Sequence, residues 1–117
     1  EGYPGNLKTT VIYKLIGSSL LVIHEATTDK ATPVNLTNHS YFNLDGEDRM
    51  DHYLLRLACP EYLETDDKLL PTGAFAAICF ETQNFPDAPN QPNFPNSILE
   101  PGETYYNETE FRFSFVI

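Results

Sequence analysis

The stretch that decides the fold is residues 8–26, which read KTTVIYKLIGSSLLVIHEA. Its first half alternates residue by residue, a period of two that is typical of a strand with one buried face. The side chains that share one face of this strand are Thr9, Val11, Tyr13 and Leu15. Gly17 and the serines after it supply turn residues, and a second apolar, β-branched run follows from Leu20 to Ala26. Residues 8–26 are therefore predicted to form a β-hairpin.

Further short apolar runs, each bounded by Pro, Gly, Asp or Asn, predict additional strands. They are Thr32–Leu36, Tyr53–Cys59, Ala74–Phe80 and Glu110–Val116. No segment shows a sustained apolar stripe with a period of 3.6 residues, so helices are not expected. The predicted fold class is all-β, a β-sandwich or part of one.

The segment Phe85–Pro95 carries prolines at every third position, namely Pro86, Pro89, Pro92 and Pro95. Proline lacks the backbone donor that a central strand needs, so this segment is predicted to follow an extended, polyproline-like path over the surface. Phe85 and Phe94 are expected to anchor it in the protein's own core. A proline-rich ligand for a partner domain is the alternative interpretation.

Composition limits both the size and the partners of the protein. A chain of 117 residues with 41% hydrophobic content has room for one core, so a single domain over residues 1–117 is predicted. The net charge of −10 repels nucleic acid and anionic membrane surfaces, and no basic cluster offsets it. With no apolar run near the ~20 residues of a membrane span and no signal-like start, a cytoplasmic location is expected.

Cys59 and Cys79 are too few and too far apart for a disulfide framework or a paired-cysteine metal site. Each lies in an apolar run, where a thiol behaves as a small hydrophobe, so buried thiols are predicted. His24 and His52 stand far from His39 and none of the three has metal-ligand spacing, so no metal site is predicted. The acidic residues 45–48 lack the calcium-loop pattern and indicate a solvated loop.

The chemically richest motif is Asn35–Leu44, which reads NLTNHSYFNL. It places His39 among amides and hydroxyls and then closes on apolar and aromatic residues. Imidazole has an ordinary pKa of about 6.5 and exchanges protons near neutrality. Glu81 follows the apolar run Ala76–Phe80 and opens a polar stretch, so its carboxylate could enter a cleft or simply be a solvated strand end. One acid and one base are therefore candidates.

Several motifs resemble segments of the aldose 1-epimerase (galactose mutarotase) family. The most specific are Thr37–Leu44, TNHSYFNL, and Phe80–Ala88, FETQNFPDA. Glu1–Leu7, Leu69–Gly73 and Pro101–Tyr105 resemble further segments of that family. The resemblance implies a β-sandwich enzyme without cofactor or metal, in which His39 is the general acid and Glu81 the general base. It also implies that Ser40 and Tyr41, with His39 and Glu81, contact a sugar such as galactose or glucose.

The chain also departs from the family that it resembles. Pro71-Thr72-Gly73 runs almost directly into Ala74–Glu81, where the family has a long region that includes a substrate-binding aspartate. An upstream region with a second histidine and an arginine is absent as well. An incomplete sandwich is therefore expected, and its open sheet edges favour self-association. Three functions stay open: a mutarotase, a non-catalytic carbohydrate-binding remnant, and a fragment without activity of its own.

Overall fold

The computed structural model describes residues 2–58 and 77–115, and within these ranges the secondary structure is strands and one short turn of 3₁₀-helix. The elements are β1 Leu7–Ile16, β2 Ser19–Thr28, β3 Thr32–Pro33, β4 Tyr41–Phe42, β5 Ile78–Cys79, the 3₁₀ turn Ala88–Asn90, β6 Ile98–Leu99 and β7 Tyr105–Arg112. Within the described ranges no helix is long and apolar enough to cross a bilayer. The expectation of an all-β chain is confirmed.

The chain divides into two compact units. Unit 1 comprises Glu1–Asn38 and Glu81–Ile117, and unit 2 comprises His39–Phe80. Strands β4 and β5 belong to unit 2 and the other strands to unit 1. One domain over residues 1–117 stays a prediction.

Unit 1 is built on an antiparallel sheet with the strand order β1-β2-β7. The predicted hairpin is confirmed: β1 pairs with β2 from Leu7 opposite Thr28 to Ile16 opposite Ser19. Gly17 begins the two-residue turn with φ +58°, a left-handed conformation that glycine adopts without steric cost. Because side chains alternate between the faces of a strand, this register puts Val22, His24 and Ala26 on one face of β2.

The core lies on this face of β2, whereas β1 is exposed almost throughout. The expectation of a buried face on β1 is wrong: Val11, Tyr13 and Leu15 are 46%, 62% and 78% exposed. The physical reason is position, because β1 is an edge strand and the buried cluster packs on the far side of β2. The apolar alternation of β1 identified its strand conformation correctly and its burial incorrectly.

The core cluster of unit 1 consists of Ala26, Val34 and Leu99, with Leu36 and Tyr105 packed against it. The two-residue strands β3 and β6 pair antiparallel beside it, and the Val34 amide donates to the Ser97 carbonyl at 2.9 Å. The Tyr105 hydroxyl donates to the Leu36 carbonyl at 3.2 Å and accepts from the Leu36 amide at 3.3 Å. The β7 strand is thereby joined to the segment that leads toward His39.

The other predicted strands are shorter or shifted. Thr32–Leu36 contains only β3, and Ala74–Phe80 contains β5, with residues 74–76 outside the described part. The last strand runs over Tyr105–Arg112 rather than Glu110–Val116. The prediction over Tyr53–Cys59 is wrong for residues 53–58, which are not in a strand, while Cys59 lies outside the described residues.

The proline-rich segment forms no strand, as expected, but it is not extended throughout. Asp87 adopts φ 60° and precedes the 3₁₀ turn, and its carboxylate accepts hydrogen bonds from the side chains of Asn90 and Gln91. Phe85 and Phe94 pack edge-to-face against each other, with ring centroids 4.9 Å apart. The aromatic pair closes the segment into a compact loop.

Candidate functional site

The motif around His39 lies at the start of unit 2, where β4 pairs antiparallel with β5. The register sets Tyr41 opposite Cys79 and Phe42 opposite Ile78. Phe42 is half-buried, and its ring lies 6.1 Å from that of Phe80. These aromatic contacts fix the short ladder, so the position of His39 is set by the strand that follows it.

His39 contacts the side chains of Cys79 and Tyr41 in unit 2. Its Nδ1 atom lies 3.5 Å from the Cys79 Sγ atom, within hydrogen-bonding distance for sulfur. Its ring centroid is 5.5 Å from that of Tyr41, in a tilted arrangement. His39, Ser40 and Tyr41 are all exposed, and Tyr41 is 67% exposed. Three of the four predicted site residues therefore share one accessible segment.

Cys79 was predicted from sequence to be a buried thiol, and the structure corrects that in part. Cys79 is a thiol rather than half of a disulfide, as predicted. Its side chain is only half-buried, however, and it contacts an imidazole rather than an apolar core. Polar contact explains the difference, because a thiol beside a ring nitrogen acts as a weak donor or acceptor. Cys59 lies outside the described residues.

The loop after β4 is ordered by hydrogen bonds to one tyrosine. The Tyr53 hydroxyl accepts from the Leu44 amide at 2.7 Å and the Asp45 amide at 3.0 Å. The Asn43 side chain closes the loop, accepting from the Gly46 amide and donating to the Glu47 carbonyl. The acidic residues 45–48 are exposed, which agrees with the expected solvated loop.

Acid is expected to loosen this loop through Asp45. The Glu47 amide and, next, the His52 and Tyr53 side chains hydrogen-bond its carboxylate, which lowers the pKa of Asp45 from 3.8 to about 2. A lowered pKa stabilises the folded loop above pH 3.8, and this contribution is lost as the pH falls from there through about 2. The Asp45 carboxyl carbon, followed by NMR, should titrate near 2. A midpoint near 3.8 would contradict the contacts, and Asp45→Asn provides the control that lacks the transition.

Glu81 opens the second half of unit 1 and is exposed. Its neighbour Thr82 is bound to β7: the Asn107 side-chain amide donates to the Thr82 carbonyl at 3.2 Å, and the Thr82 and Thr109 hydroxyls are hydrogen-bonded. Asn107 and Thr109 lie on the same face of β7 as the core residue Tyr105. The backbone beside Glu81 is thus held by the main sheet.

A second anchor follows three residues after Glu81. The Asn84 amide donates to the Asn35 side-chain oxygen at 2.8 Å, and the Asn84 side chain donates to the Val34 carbonyl at 3.1 Å. Val34 belongs to the core cluster of unit 1. Neither Asn84 nor Cys79 was predicted as a site residue. Asn84 stood in a motif interpreted for its carboxylate alone, and Cys79 stood in the apolar run before that motif.

The four predicted site residues are thus divided between the units. His39, Ser40 and Tyr41 lie together in unit 2, and Glu81 lies in unit 1. The roles assigned to them from sequence stay predictions.

Comparison with known proteins agrees with this all-β architecture and with the motifs. The family model described as aldose 1-epimerase matches residues 1–78 and 75–112. The chain therefore belongs to the aldose 1-epimerase family, whose fold is a β-sandwich. The expectation drawn from the two specific motifs is confirmed.

Among curated relatives, the galactose mutarotase of Rattus norvegicus is 30% identical over 203 aligned residues, covering 97% of this chain and 59% of that protein. The galactose mutarotase of Homo sapiens is 29% identical with the same coverage. The aldose 1-epimerase of Escherichia coli (strain K12) is 39% identical over 90 residues, 75% of this chain and 26% of that protein.

The chain spans about 59% of the length of the mutarotases that it matches. The alignment is 203 residues long against a chain of 117, so a block of the relatives' sequence has no counterpart within this chain. The two ranges matched by the family model overlap at residues 75–78. This overlap follows Pro71-Thr72-Gly73, after which the long region of the family was predicted to be missing. The expected shortened form of the family is confirmed.

Proposed function

We propose that this chain catalyses aldose 1-epimerisation, the interconversion of the α and β anomers of hexoses such as galactose and glucose. His39 acts as general acid and Glu81 as general base. The observation that carries the proposal is the register of β4 and β5, which sets Tyr41 opposite Cys79 and Phe42 opposite Ile78.

This register has a simple extension. Moving two residues back from Tyr41 reaches His39, and moving two residues forward from Cys79 reaches Glu81. In an antiparallel pair this step keeps residues opposite each other and on the same face, with Cβ atoms about 4.5–5.5 Å apart. The spacing of His39 and Glu81 from the β4–β5 ladder is therefore compatible with the proposed acid–base pair.

Contacts within each unit hold the chain close to His39 and to Glu81. On one side β4 pairs with β5, and on the other the Asn84 amide donates to Asn35 at 2.8 Å. His39 lies between Asn35 and Tyr41, and Glu81 lies between Cys79 and Asn84. Each residue therefore lies within a few positions of a contact that holds its own segment.

The chemistry suits two neighbouring groups. Mutarotation removes the proton from the C1 hydroxyl and adds one to the ring oxygen, and both oxygens are bonded to C1. Glu81 accepts the hydroxyl proton while protonated His39 donates to the ring oxygen, which breaks the C1–O bond and opens the ring. Rotation about C1–C2 and reclosure with the reverse proton transfers give the other anomer. Each group contributes about 10²- to 10⁴-fold.

Ser40 and Tyr41 complete the proposed sugar contacts. Both are exposed beside His39, and Tyr41 presents an aromatic ring and a hydroxyl to solvent. Such a surface can pack against the C–H face of a pyranose and hydrogen-bond its hydroxyls. A cytoplasmic location and self-association through the exposed edge strand β1 stay predictions of the sequence.

A carbohydrate-binding protein without turnover is the second candidate. It is favoured by the alignment of 203 residues to a chain of 117, since the block without counterpart removes much of the relatives' sequence. This alternative predicts sugar-dependent NMR shifts at residues 39–41 and no acceleration of mutarotation.

Polarimetry on freshly dissolved α-galactose and α-glucose separates the two candidates. The proposal predicts an optical-rotation decay faster than buffer in proportion to protein concentration. A decay equal to buffer, with sugar-dependent NMR shifts present, would replace it with the binding function. A decay equal to that in buffer, without sugar-dependent NMR shifts, would refute both candidate functions.

A further inference from the structure

The Cys79 thiol contacts the imidazole of His39. Its Sγ atom lies 3.5 Å from Nδ1, and both residues belong to unit 2. A general acid can present only one ring nitrogen to the sugar at a time. The environment of the other nitrogen fixes the tautomer and the ring orientation.

We propose that Cys79 is a positioning residue whose thiol holds Nδ1 of His39, so that Nε2 carries the proton delivered to the sugar; this role rests on the proposed function. A thiol suits both states of the catalytic cycle, because its sulfur is a weak acceptor in each of them. In the imidazolium, Nδ1–H donates to sulfur. After Nε2 has delivered its proton, the remaining ring proton is on Nδ1, which still donates to sulfur, and Nε2 can take the proton back on reclosure.

The strand register explains why the thiol reaches this atom. Cys79 stands opposite Tyr41, two residues after His39, so the two side chains are diagonal neighbours across the ladder. Diagonal neighbours lie within reach of one another in an antiparallel pair. The tilted Tyr41 ring, 5.5 Å from the imidazole, limits ring rotation from another side.

The test measures the tautomer directly by NMR on protein carrying ¹⁵N-labelled histidine, with the His39 signals assigned by their loss in His39→Gln. The ratio of Nδ1–H to Nε2–H tautomer in neutral His39 is expected to fall roughly three- to tenfold in Cys79→Ala, the size of one weak hydrogen bond. Cys79→Ser should restore most of the ratio because a hydroxyl oxygen also accepts a hydrogen bond. Cys59→Ala, which removes the chain's other cysteine, should leave the ratio unchanged.

Kinetics supply the second readout. In Cys79→Ala the kcat for mutarotation should fall by a similar factor at unchanged KM, because the sugar contacts remain. Capping the thiol of Cys59→Ala protein with a methylthio group, whose bulk displaces the imidazole from the sulfur, should reproduce the loss without substituting Cys79, which covers the case of a misfolded alanine variant.

The outcomes separate this inference from the function on which it rests. A tautomer ratio that stays unchanged in both Cys79→Ala and the capped protein would overturn the positioning role, even if mutarotation is fast. A changed ratio in a protein that does not accelerate mutarotation would support the contact and refute the catalytic function. A changed ratio with a matching loss of kcat supports both.

Discussion

Replacement of Glu81 by glutamine is expected to slow mutarotation by about 10²- to 10⁴-fold, the contribution of one general base. Glutamine keeps the size and hydrogen-bonding shape of the side chain but cannot take the proton from the C1 hydroxyl. The loss should appear in kcat, since an amide still contacts the sugar hydroxyl. The measurement is polarimetry over a range of sugar concentrations.

The fold should survive this substitution. Glu81 is exposed, and the local backbone is held by its neighbours: Thr82 binds β7, and Asn84 binds Val34 and Asn35. Glu100→Gln is the matched control, because Glu100 is also exposed and lies just beyond β6. An unchanged rate in Glu81→Gln, with the control also unchanged, would remove the general base from the proposal.

The rate losses caused by substituting His39 and Glu81 should not be independent of each other. If both groups serve one concerted pair of proton transfers, His39→Gln/Glu81→Gln should be hardly slower than the worse single variant. Losses that multiply would indicate that the two groups act on separate steps. This comparison tests by a functional measurement whether the two groups act together on one sugar.

Sequence pattern predicted the elements that are long enough to show a period. The hairpin β1–β2 has ten residues in each strand, and its alternation and glycine turn are plain in residues 8–26. Two-residue strands such as β4 and β6 show no alternation, so their existence depends on pairing with distant partners. Burial of β1 was mispredicted for another reason. The sequence of an edge strand does not reveal that it has a neighbouring strand on one side only.

The site was predictable to different degrees. His39 and Glu81 came from two motifs that resemble the aldose 1-epimerase family, and both motifs lie within the matched ranges of that family. The roles of the two residues stay predictions. Cys79 was not predicted as a site residue because it lies in an apolar run. Such a run surrounds a half-buried thiol in the same way as it surrounds a fully buried core residue. Its contact with His39 arises from pairing between segments about forty residues apart, and no local feature of either segment specifies that register.

The largest loss of stability is expected from Leu99→Ala, about 2–5 kcal/mol in the free energy of unfolding. Leu99 is 6% exposed and lies in the core cluster with Ala26 and Val34. Truncation removes apolar contacts and leaves a cavity that the short strands β3 and β6 cannot readily close. Urea unfolding followed by circular dichroism measures the change. Leu15→Ala, which truncates a leucine that is 78% exposed, should cost no more than about 0.5 kcal/mol.

The same substitution should also reach the site, because the core and the Glu81 segment share Val34. Val34 packs with Leu99, and its carbonyl accepts the Asn84 side chain at 3.1 Å, three residues beyond Glu81. A loosened cluster should therefore broaden the NMR signals of Asn84 and slow mutarotation at temperatures where Leu99→Ala is still folded. If Leu99→Ala costs as little as Leu15→Ala, the cluster does not form the core of unit 1. If stability falls while the Asn84 NMR signals and the mutarotation rate are unaffected, the hydrogen bond between Val34 and Asn84 does not couple the core to the Glu81 segment.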